Sequence, residues 1–421
     1  MSGAVTSALR TRAAGWASEV LPARGPGRTL YWASLVNAVG TGMYLVSSAI
    51  YFVRCLGLSE TKVGLGLTVG SLIGLVSGVP AGHLADRFGA RRVYVVSLLG
   101  EALTMCLFTL AGSFWTFVAA TTGAAVAASA SSAARGPIIQ FVSEQNAAQL
   151  KSHLRSVSNA GFFVGGAAAG VVLGTDRQVY YLLLILGNAA SFALCAALMY
   201  GIPKIPATLS KSSGKSWTSL RDLHYLRIVA INSVLSLQYP VLPIVLPLWV
   251  VTHTDVPRWT VATMIPLNTV LVVLLQMRAA RRVTGLRSGG RLLTHGGVVM
   301  SASFVLMATV PMVASRLQIA VLLLAVVINA LGEIFWVTGS YELSFGLAPA
   351  ESLGQYLGLH SMGGGLGRAV SSALVSYLCL SLGFTGWLAF SGLILLAALS
   401  APFAVNRAIS ARAETLPKVL A

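Results

Sequence analysis

Charge is scarce in this chain, and acidic charge is scarcest. Of its 421 residues only 10% are charged, with 12 Asp and Glu against 29 Lys and Arg, while 56% are hydrophobic. A soluble domain normally carries about 25% charged residues. The composition therefore argues against an ordinary soluble domain and predicts an integral membrane protein.

Cysteine is also rare, and the cysteines that are present form no metal-binding pattern. Cys55, Cys106, Cys195 and Cys379 lie in or beside apolar stretches, without a CxxC pair, and we interpret them as small packing residues. The sequence also lacks GxxxxGK[ST], GxSxG and HExxH motifs, which rules against an ATP site, a hydrolase nucleophile and a zinc protease site. We expect no enzymatic activity, no cofactor and no metal site.

Long apolar segments are what the chain has in abundance. About 20 apolar residues can cross a bilayer as a helix, and we count twelve such segments. They cover residues 30–53, 63–82, 92–112, 115–136, 156–174, 179–200, 225–251, 258–277, 291–313, 317–341, 354–381 and 384–405. We predict an all-α membrane protein of twelve transmembrane helices. Its predicted parts are a tail at 1–29, a six-helix half at 30–200, a linker at 201–224, a second half at 225–405 and a tail at 406–421.

The basic residues follow the topology rule of membrane proteins, by which cytoplasmic loops carry an excess of Lys and Arg. If both termini are cytoplasmic, 23 of the 29 Lys and Arg fall in cytoplasmic segments, five fall outside, and Arg368 lies within a segment. The net charge of +17 is then explained by topology rather than by nucleic-acid binding. We expect a multi-pass protein of the plasma (inner) membrane, with both termini cytoplasmic and no nucleic-acid partner.

The most specific signal is a charged turn between the second and third segments. It reads Gly82-His83-Leu84-Ala85-Asp86-Arg87-Phe88-Gly89-Ala90-Arg91-Arg92-Val93. This run resembles the loop signature G-x-L-A-D-R-x-G-r-r of the major facilitator superfamily, which joins the second and third transmembrane helices. The resemblance implies two pseudo-symmetric six-helix halves and a secondary transporter that works by alternating access. In character the chain is most similar to the drug:proton antiporters of that family.

In that family the aspartate of this turn helps to latch the two halves together. The resemblance therefore assigns a latch role to Asp86, with Arg135 at the end of the fourth segment as its partner. The full expected latch set is Gly82, Asp86, Arg87, Gly89, Arg91 and Arg135. A static loop anchor is the alternative. His83 and His360, near helix ends on the same side, are expected to be solvated.

Glycine recurs every four residues along the second segment and is frequent in the eleventh. The positions are Gly66, Gly70, Gly74, Gly78 and Gly82, and then Gly354, Gly358, Gly363 and Gly367. Small residues let membrane helices approach closely, and in the family these two segments face each other. We expect a glycine-lined contact between the halves, either as a moving interface or as a static packing seam.

Ionisable residues deep inside the segments are the main candidates for function. They are Glu101, Glu333 and Arg368, and each such charge costs at least about 2.5–3.5 kcal/mol, so it is usually paired or functional. Asn329, Glu333 and Trp336 share one face of segment 10, which lines the central cavity in the family. We expect Glu333 to carry a proton or bind substrate, with Arg368 beside it. A fixed Glu333–Arg368 ion pair is the alternative, and for Glu101 we expect a local hydrogen bond.

Polar residues on other segments complete the predicted pocket. Segment 7 carries Asn232, Gln238 and Tyr239 just before a stretch with three prolines. Proline breaks the backbone ladder, which membranes tolerate only where neighbours or a cavity satisfy the freed groups. This pattern indicates a gate or a cavity-lining bend, or else plain kinked packing. Asn37 and Tyr44 on segment 1 are expected to add to the pocket.

The expected function is proton-coupled export of small amphipathic molecules, such as drugs or secondary metabolites. Two departures from the exporters stand out: Gly166 occupies the place of their proline, and segment 4 carries no charge before Arg135. The alternative is an uptake carrier or uniporter for a sugar, an amino acid or a similar nutrient, and a third hypothesis is a non-transporting receptor. The expected partners are a small-molecule substrate, protons and the lipid bilayer, and we expect a monomer.

Overall fold

The computed structural model describes residues 25–143, 146–173, 178–203, 205, 218–257, 259–281 and 283–415. Within these ranges every regular element is helical. Nearly all of the predicted first tail, most of the predicted linker and the end of the last tail lie outside the described residues.

The helices in the described ranges form twelve successive segments, which we name α1 to α12. The first six are α1 (Pro26–Arg54), α2a (Glu60–Val76), α2b (Gly78–Phe88), α3 (Ala90–Thr109), α4 (Phe114–Val142), α5 (Ala147–Leu173) and α6 (Gln178–Leu198). The second six are α7a (Leu223–Leu235), α7b (Leu246–His253), α8 (Trp259–Arg281), α9 (Leu286–Thr309), α10 (Ser315–Gly346), α11 (Leu353–Ser376) and α12 (Gly383–Thr415). By length and composition, eight of the described helices can each cross a membrane, or nine if the bent pair α2a–α2b is one span.

Local sequence signals explain where several of these helices begin and end. The side chains of Ser59 and Asp222 accept hydrogen bonds from the first-turn backbone of α2a and α7a, and Ser113 with Thr116 forms a capping box at the start of α4. Such caps satisfy N–H groups that have no partner inside the helix. Gly89 ends α2b with φ +91°, a conformation that L residues with a side chain rarely adopt.

Two segments are broken along their length. α2 bends by 46° between α2a and α2b. α7 passes through a 3₁₀ turn at Ser236–Gln238 and a π turn at Val241–Val245 before α7b begins. The prolines at 240 and 243 have no N–H to donate, which accounts for the interruption of α7. The regular helix of segment 7 is therefore interrupted at its prolines, as the sequence predicted.

Each half has its own hydrophobic core. In the first half Phe52 packs edge-on against Phe117, with ring centroids 4.8 Å apart. In the second half Phe304 and Phe390 lie 4.8 Å apart and belong to one cluster with Trp387. On the outer surface large apolar side chains stay exposed, as on α3, where Val96, Leu99, Leu103 and Leu107 follow helical spacing. Such a stripe fits a helix that faces lipid.

The two halves meet at the end of the bundle that holds the turn after α2b, which we call the motif end. Phe345, Leu353 and Leu357 of the second half belong to the hydrophobic core cluster of the first half. The side-chain amide of Asn146 also donates to the Val283 carbonyl oxygen across the halves, at 3.4 Å. These contacts close the motif end.

The glycines of α2 have two different partners because the helix bends between them. A Cβ on Gly66, Gly70 or Gly74 would collide with α4 of the same half. Only the two glycines of α2b face α11: a Cβ on Gly78 would lie 3.3 Å from the Gly358 carbonyl oxygen, and one on Gly82 would overlap Gly354. The expected glycine contact between α2 and α11 is present, but it is confined to the motif end.

Candidate functional site

A cavity lies between the halves and is lined by side chains from both of them. It consists of two adjoining parts of about 510 and 210 Å³. The residues that line both parts are Ser132, Lys151, Arg155, Tyr239, Tyr341 and Ser361. A volume of several hundred Å³ is typical of sites for small molecules.

An ion pair joins the two halves next to this cavity. The Arg155 guanidinium on α5 donates to Glu333 Oε1 on α10, and both side chains are mostly buried, at 14% and 12% exposure. The other oxygen, Oε2, accepts from the side-chain amide of Asn268 on α8 at 3.3 Å. Glu333 is thus held by one charged group from the opposite half and one neutral group from its own half.

The expected alternative partner of Glu333 was wrong. Arg368 does not pair with Glu333; its guanidinium lies over the Tyr239 ring, 5.2 Å from the ring centroid. It lines the smaller part of the cavity. Arg368 lies on α11 and Glu333 on α10, and the partner of Glu333 comes from α5 instead. Glu333 itself lines neither described part of the cavity.

A buried polar network forms the second-half wall of the cavity. Asn232 Oδ1 accepts from Trp336 Nε1 at 3.1 Å and from Ser340 Oγ at 2.8 Å. Ser340 also contacts His360 Nε2 at 3.0 Å. His360 is only 6% exposed, so the expectation that it is solvated was wrong. Asn232, Trp336 and Tyr239 line the cavity as predicted.

The remaining predicted pocket residues divide into one that lines the cavity and three that do not. Asn37 lines the larger part. Asn329 turns into the helix interface and donates to Ser303 Oγ at 3.2 Å. Tyr44 stacks on Phe108 at a centroid distance of 6.2 Å, and Gln238 is buried in the 3₁₀ turn of α7. None of these three lines either described part of the cavity.

The first-half wall carries several charges. Glu101, Arg135 and Lys151 line the larger part of the cavity together with Arg155. Arg135 donates to Ser34 Oγ at 2.6 Å. The Lys151 ammonium lies over the Tyr341 ring, 4.3 Å from its centroid. Oε1 of Glu101 is buried with no hydrogen-bond partner among the described residues, so the expected local hydrogen bond of Glu101 does not reach this oxygen.

At the motif end a carboxylate of one half contacts a helix N-terminus of the other. Asp86 accepts hydrogen bonds from the backbone N–H groups of Gly354 at 2.8 Å and Gln355 at 3.1 Å. These N–H groups belong to the first turn of α11, where the helix dipole favours an anion. The Gln355 side-chain amide also contacts His83 Nδ1 at 3.1 Å. Asp86 therefore joins the two halves by two hydrogen bonds, and its role as a latch stays a prediction.

Its expected partner was wrong, because Arg135 points into the cavity rather than toward Asp86. The other arginines of the turn stay within the first half. Arg91 donates to the Tyr200 carbonyl oxygen at 3.3 Å and lies over the ring of the same residue. Arg87 is exposed and lies over the neighbouring Phe88 ring at 5.4 Å. Both arginines brace the turn rather than the contact between the halves.

Comparison with known proteins identifies the family. A sequence model of the Major Facilitator Superfamily matches residues 30–372. The chain belongs to the Major Facilitator Superfamily. Members of this superfamily are transporters rather than enzymes, and this chain is a multi-pass membrane protein of that class with two six-helix halves.

Individual relatives are distant. An uncharacterized MFS-type transporter, YqjV of Bacillus subtilis (strain 168), is 27% identical over 89 residues, which span 21% of this chain and only 22% of that protein. Solved superfamily structures match over almost their full length, at 15–16% identity, and so share the fold. A bacterial homologue of the iron transporter ferroportin in its outward-facing state has a TM-score of 0.68, covering 91% of this chain and 99% of its own. The Escherichia coli fucose:proton symporter FucP has a TM-score of 0.71, covering 90% and 98%.

Two cations of α5 line the cavity but were not predicted as site residues, namely Lys151 and Arg155. Segment 5 was expected to begin at residue 156, so Lys151 and Arg155 were counted as loop charges. The helix instead begins at Ala147, which places both side chains inside the bundle. Their spacing of four residues puts them on one helix face. This spacing could have indicated that both side chains line the same cavity.

A single methyl group added at Gly354 is expected to disturb the motif-end contact of this superfamily member strongly. A Cβ on Gly354 would lie 2.6 Å from both Asp86 Oδ1 and the Gly82 carbonyl oxygen. We expect Gly354→Ala to destabilise the closed motif end by about 1–3 kcal/mol, the usual cost of overpacking. Thermal unfolding of the purified protein in detergent measures the loss.

Gly64→Ala is the matched control, because Gly64 lies in α2a with nothing within 4 Å of its would-be Cβ. That variant is expected to keep the melting temperature, or to raise it slightly, because Ala is the better helix former. An unchanged melting temperature for Gly354→Ala would show that α2b and α11 are not in the close contact described.

Proposed function

We propose that this superfamily member is a proton-coupled secondary transporter of small polar molecules, and that Glu333 carries the proton. The observation that carries the proposal is the Arg155–Glu333 ion pair. It is an ion pair between the halves beside the cavity, and it exists only while Glu333 is ionised. Protonation of Glu333 removes the attraction and leaves the halves free to move apart at this point.

The groups that face Glu333 support an exchange of partners at this site. Arg155 approaches from α5 and Asn268 from α8. The cations Lys151 and Arg368 line the same cavity without an ion pair among the described residues. A solute that binds Arg155 competes with the Glu333 carboxylate for the same guanidinium. Proton binding and solute binding are linked through this one arginine.

The cavity lining favours a polar solute over the amphipathic one expected from the sequence. Hydroxyl and amide groups from both halves line the two parts, among them Asn37, Ser132, Asn159, Asn232 and Ser361. Buried polar groups left without partners cost free energy, so an apolar drug is a poor occupant of this space. We propose that the protein resides in the plasma membrane as a monomer, with both termini cytoplasmic.

Transport by membrane vesicles tests the proposal and reads out its direction. Right-side-out and inverted vesicles that contain the protein are incubated with a cell extract of small metabolites, with and without an imposed pH gradient. Mass spectrometry identifies what accumulates. We expect gradient-driven accumulation with the unmodified protein, and the vesicle orientation that accumulates distinguishes uptake from export.

The decisive variant is Glu333→Gln, which keeps the shape of the side chain and removes its titration. We expect this variant to lose gradient-driven accumulation but to keep exchange of the same solute across the membrane. Glu351→Gln is the control, because Glu351 is exposed near the start of α11. Full gradient-driven accumulation by Glu333→Gln would remove Glu333 from proton coupling.

A further inference from the structure

The cavity holds more positive charge than its carboxylates can neutralise. Arg135, Lys151, Arg155 and Arg368 line it. Against them stand Glu101, in the lining, and Glu333, which is already paired with Arg155. Three cations therefore have no carboxylate within 4 Å among the described residues.

The direct contacts of Arg135, Lys151 and Arg368 are with neutral side chains. Arg135 donates to a serine, and its Nε is buried without a partner among the described residues. Lys151 and Arg368 lie over the faces of Tyr341 and Tyr239. Arg135 and Arg155 line the same part of the cavity as Lys151. Unpaired charges inside a membrane protein are costly and mark substrate or ion pathways.

We propose that the substrate of this site is a small organic anion, with a carboxylate or a similar group on a polar body. The inference deepens the proposed function and rests on it for the transport step. Arg155 and Arg368 lie on opposite halves, so an anion between them contacts both halves at once. The polar lining supplies hydrogen bonds for the rest of the solute, and the two cavity parts leave room for a compact molecule rather than a long chain.

A cationic substrate does not fit this arrangement. It would have to pair with Glu101 while Arg135 and Lys151 line the same part of the cavity, or it would have to displace Arg155 from Glu333 beside Arg368. Like charges repel each other, and the repulsion is strong where water is scarce. An anion faces the opposite situation, since it reduces the repulsion among the cations that surround it.

The charge of the substrate also determines the kind of coupling. An anion that binds Arg155 takes the place of the Glu333 carboxylate, and a proton on Glu333 then neutralises the charge that is left without a partner. Anion and proton bind together by this linkage, so they cross the membrane in the same direction. A cation would instead compete with the proton for Glu333 and give exchange. The proposal therefore predicts cotransport rather than the antiport expected from the sequence.

Thermal shift assays on the full-length protein in detergent test the charge preference without a pH gradient. A ligand that binds the folded state raises the melting temperature. The probes are three sets matched in carbon skeleton: gluconate, glucose and glucosamine; benzoate, benzamide and benzylamine; succinate, succinamide and 1,4-diaminobutane. Ionic strength and pH are held constant. We expect the anions to raise the melting temperature at millimolar concentrations and their neutral and cationic counterparts to leave it unchanged.

Two cavity variants and one control locate the binding. In Arg368→Gln and in Lys151→Gln we expect the apparent affinity for a responding anion to fall by about tenfold, the loss of one charged contact. Arg316→Gln, a change at an exposed arginine at the start of α10, is expected to leave it unchanged. The melting temperature of each variant without ligand shows whether it is folded. If one of the two cavity variants does not fold, the other still tests the binding.

Three outcomes would overturn the proposal. They are a neutral or cationic probe that shifts the melting temperature more than its anion, anion shifts that persist unchanged in both cavity variants, and no anion shift at all. Because no proton gradient is involved, these outcomes leave the role of Glu333 in proton coupling untouched. If the vesicle experiment shows that Glu333 does not carry the proton, the proposed preference for anions is not affected.

Discussion

Glu333→Gln is expected to lower the stability of the closed protein by about 3 kcal/mol, because it leaves the Arg155 guanidinium mostly buried without a counter-charge. The removal of one member of a buried pair costs more than the removal of both, since only the first leaves an uncompensated charge. We therefore expect Arg155→Gln combined with Glu333→Gln to recover much of the lost stability. Thermal unfolding of the single and double variants in detergent gives the coupling energy.

The same experiment separates a coupling pair from an ordinary helix contact. Glu351→Gln, at an exposed position, is expected to change the melting temperature little, as surface substitutions usually do. If the double variant is as unstable as the sum of the two single variants, Arg155 and Glu333 are not coupled in the folded state. The proposal for proton coupling would then lose its structural basis.

Asp86→Asn is expected to open the motif end. The carboxylate accepts two backbone N–H groups of α11, and hydrogen bonds to a charged acceptor contribute about 1.5–3 kcal/mol each. Asparagine keeps one acceptor oxygen and turns an NH₂ group toward the second N–H. A loss of about 2 kcal/mol shifts the balance between closed and open motif ends about thirtyfold.

Alkylation of a cysteine placed at Leu357 measures this shift, because Leu357 is 3% exposed and lies against the first half in the closed state. The native cysteines are replaced in the background protein. We expect the alkylation rate to rise with Asp86→Asn and to stay unchanged with Asp255→Asn, a substitution at an exposed aspartate beyond α7b. Equal rates in all three proteins would mean that Asp86 anchors a loop and does not hold the halves together.

The fold was predictable because its signals are local. The length of each apolar segment gives the helices, the charged turn with Gly89 gives the family, and the prolines of segment 7 give the break in α7. Hydropathy was a poor guide to helix ends, however. It placed the start of segment 5 nine residues after Ala147, since a helix that borders a polar cavity carries polar residues in its membrane part.

The partners of the site residues were less predictable, because they depend on how the halves are placed against each other. Helical spacing put Asn329 and Glu333 on one face, yet one contacts α9 and the other contacts α5 and α8. Asp86 was predicted to pair with Arg135, but it binds backbone N–H groups of α11, which no side-chain pattern reveals. The contact between α5 and α10 that pairs Arg155 with Glu333 has no signature within either segment.

Protonation of Glu333 is expected to release the two halves from each other. In alternating access, opening of the motif end brings the opposite ends of the two halves together. Spin labels at Gly112 and Arg316, exposed positions at that opposite end and on different halves, measure this approach by electron–electron double resonance. In the unmodified protein we predict a shift toward shorter distances as the pH is lowered, and in Glu333→Gln we predict the short distances at every pH. Distances that do not change with pH, or that change identically in both proteins, would contradict the account.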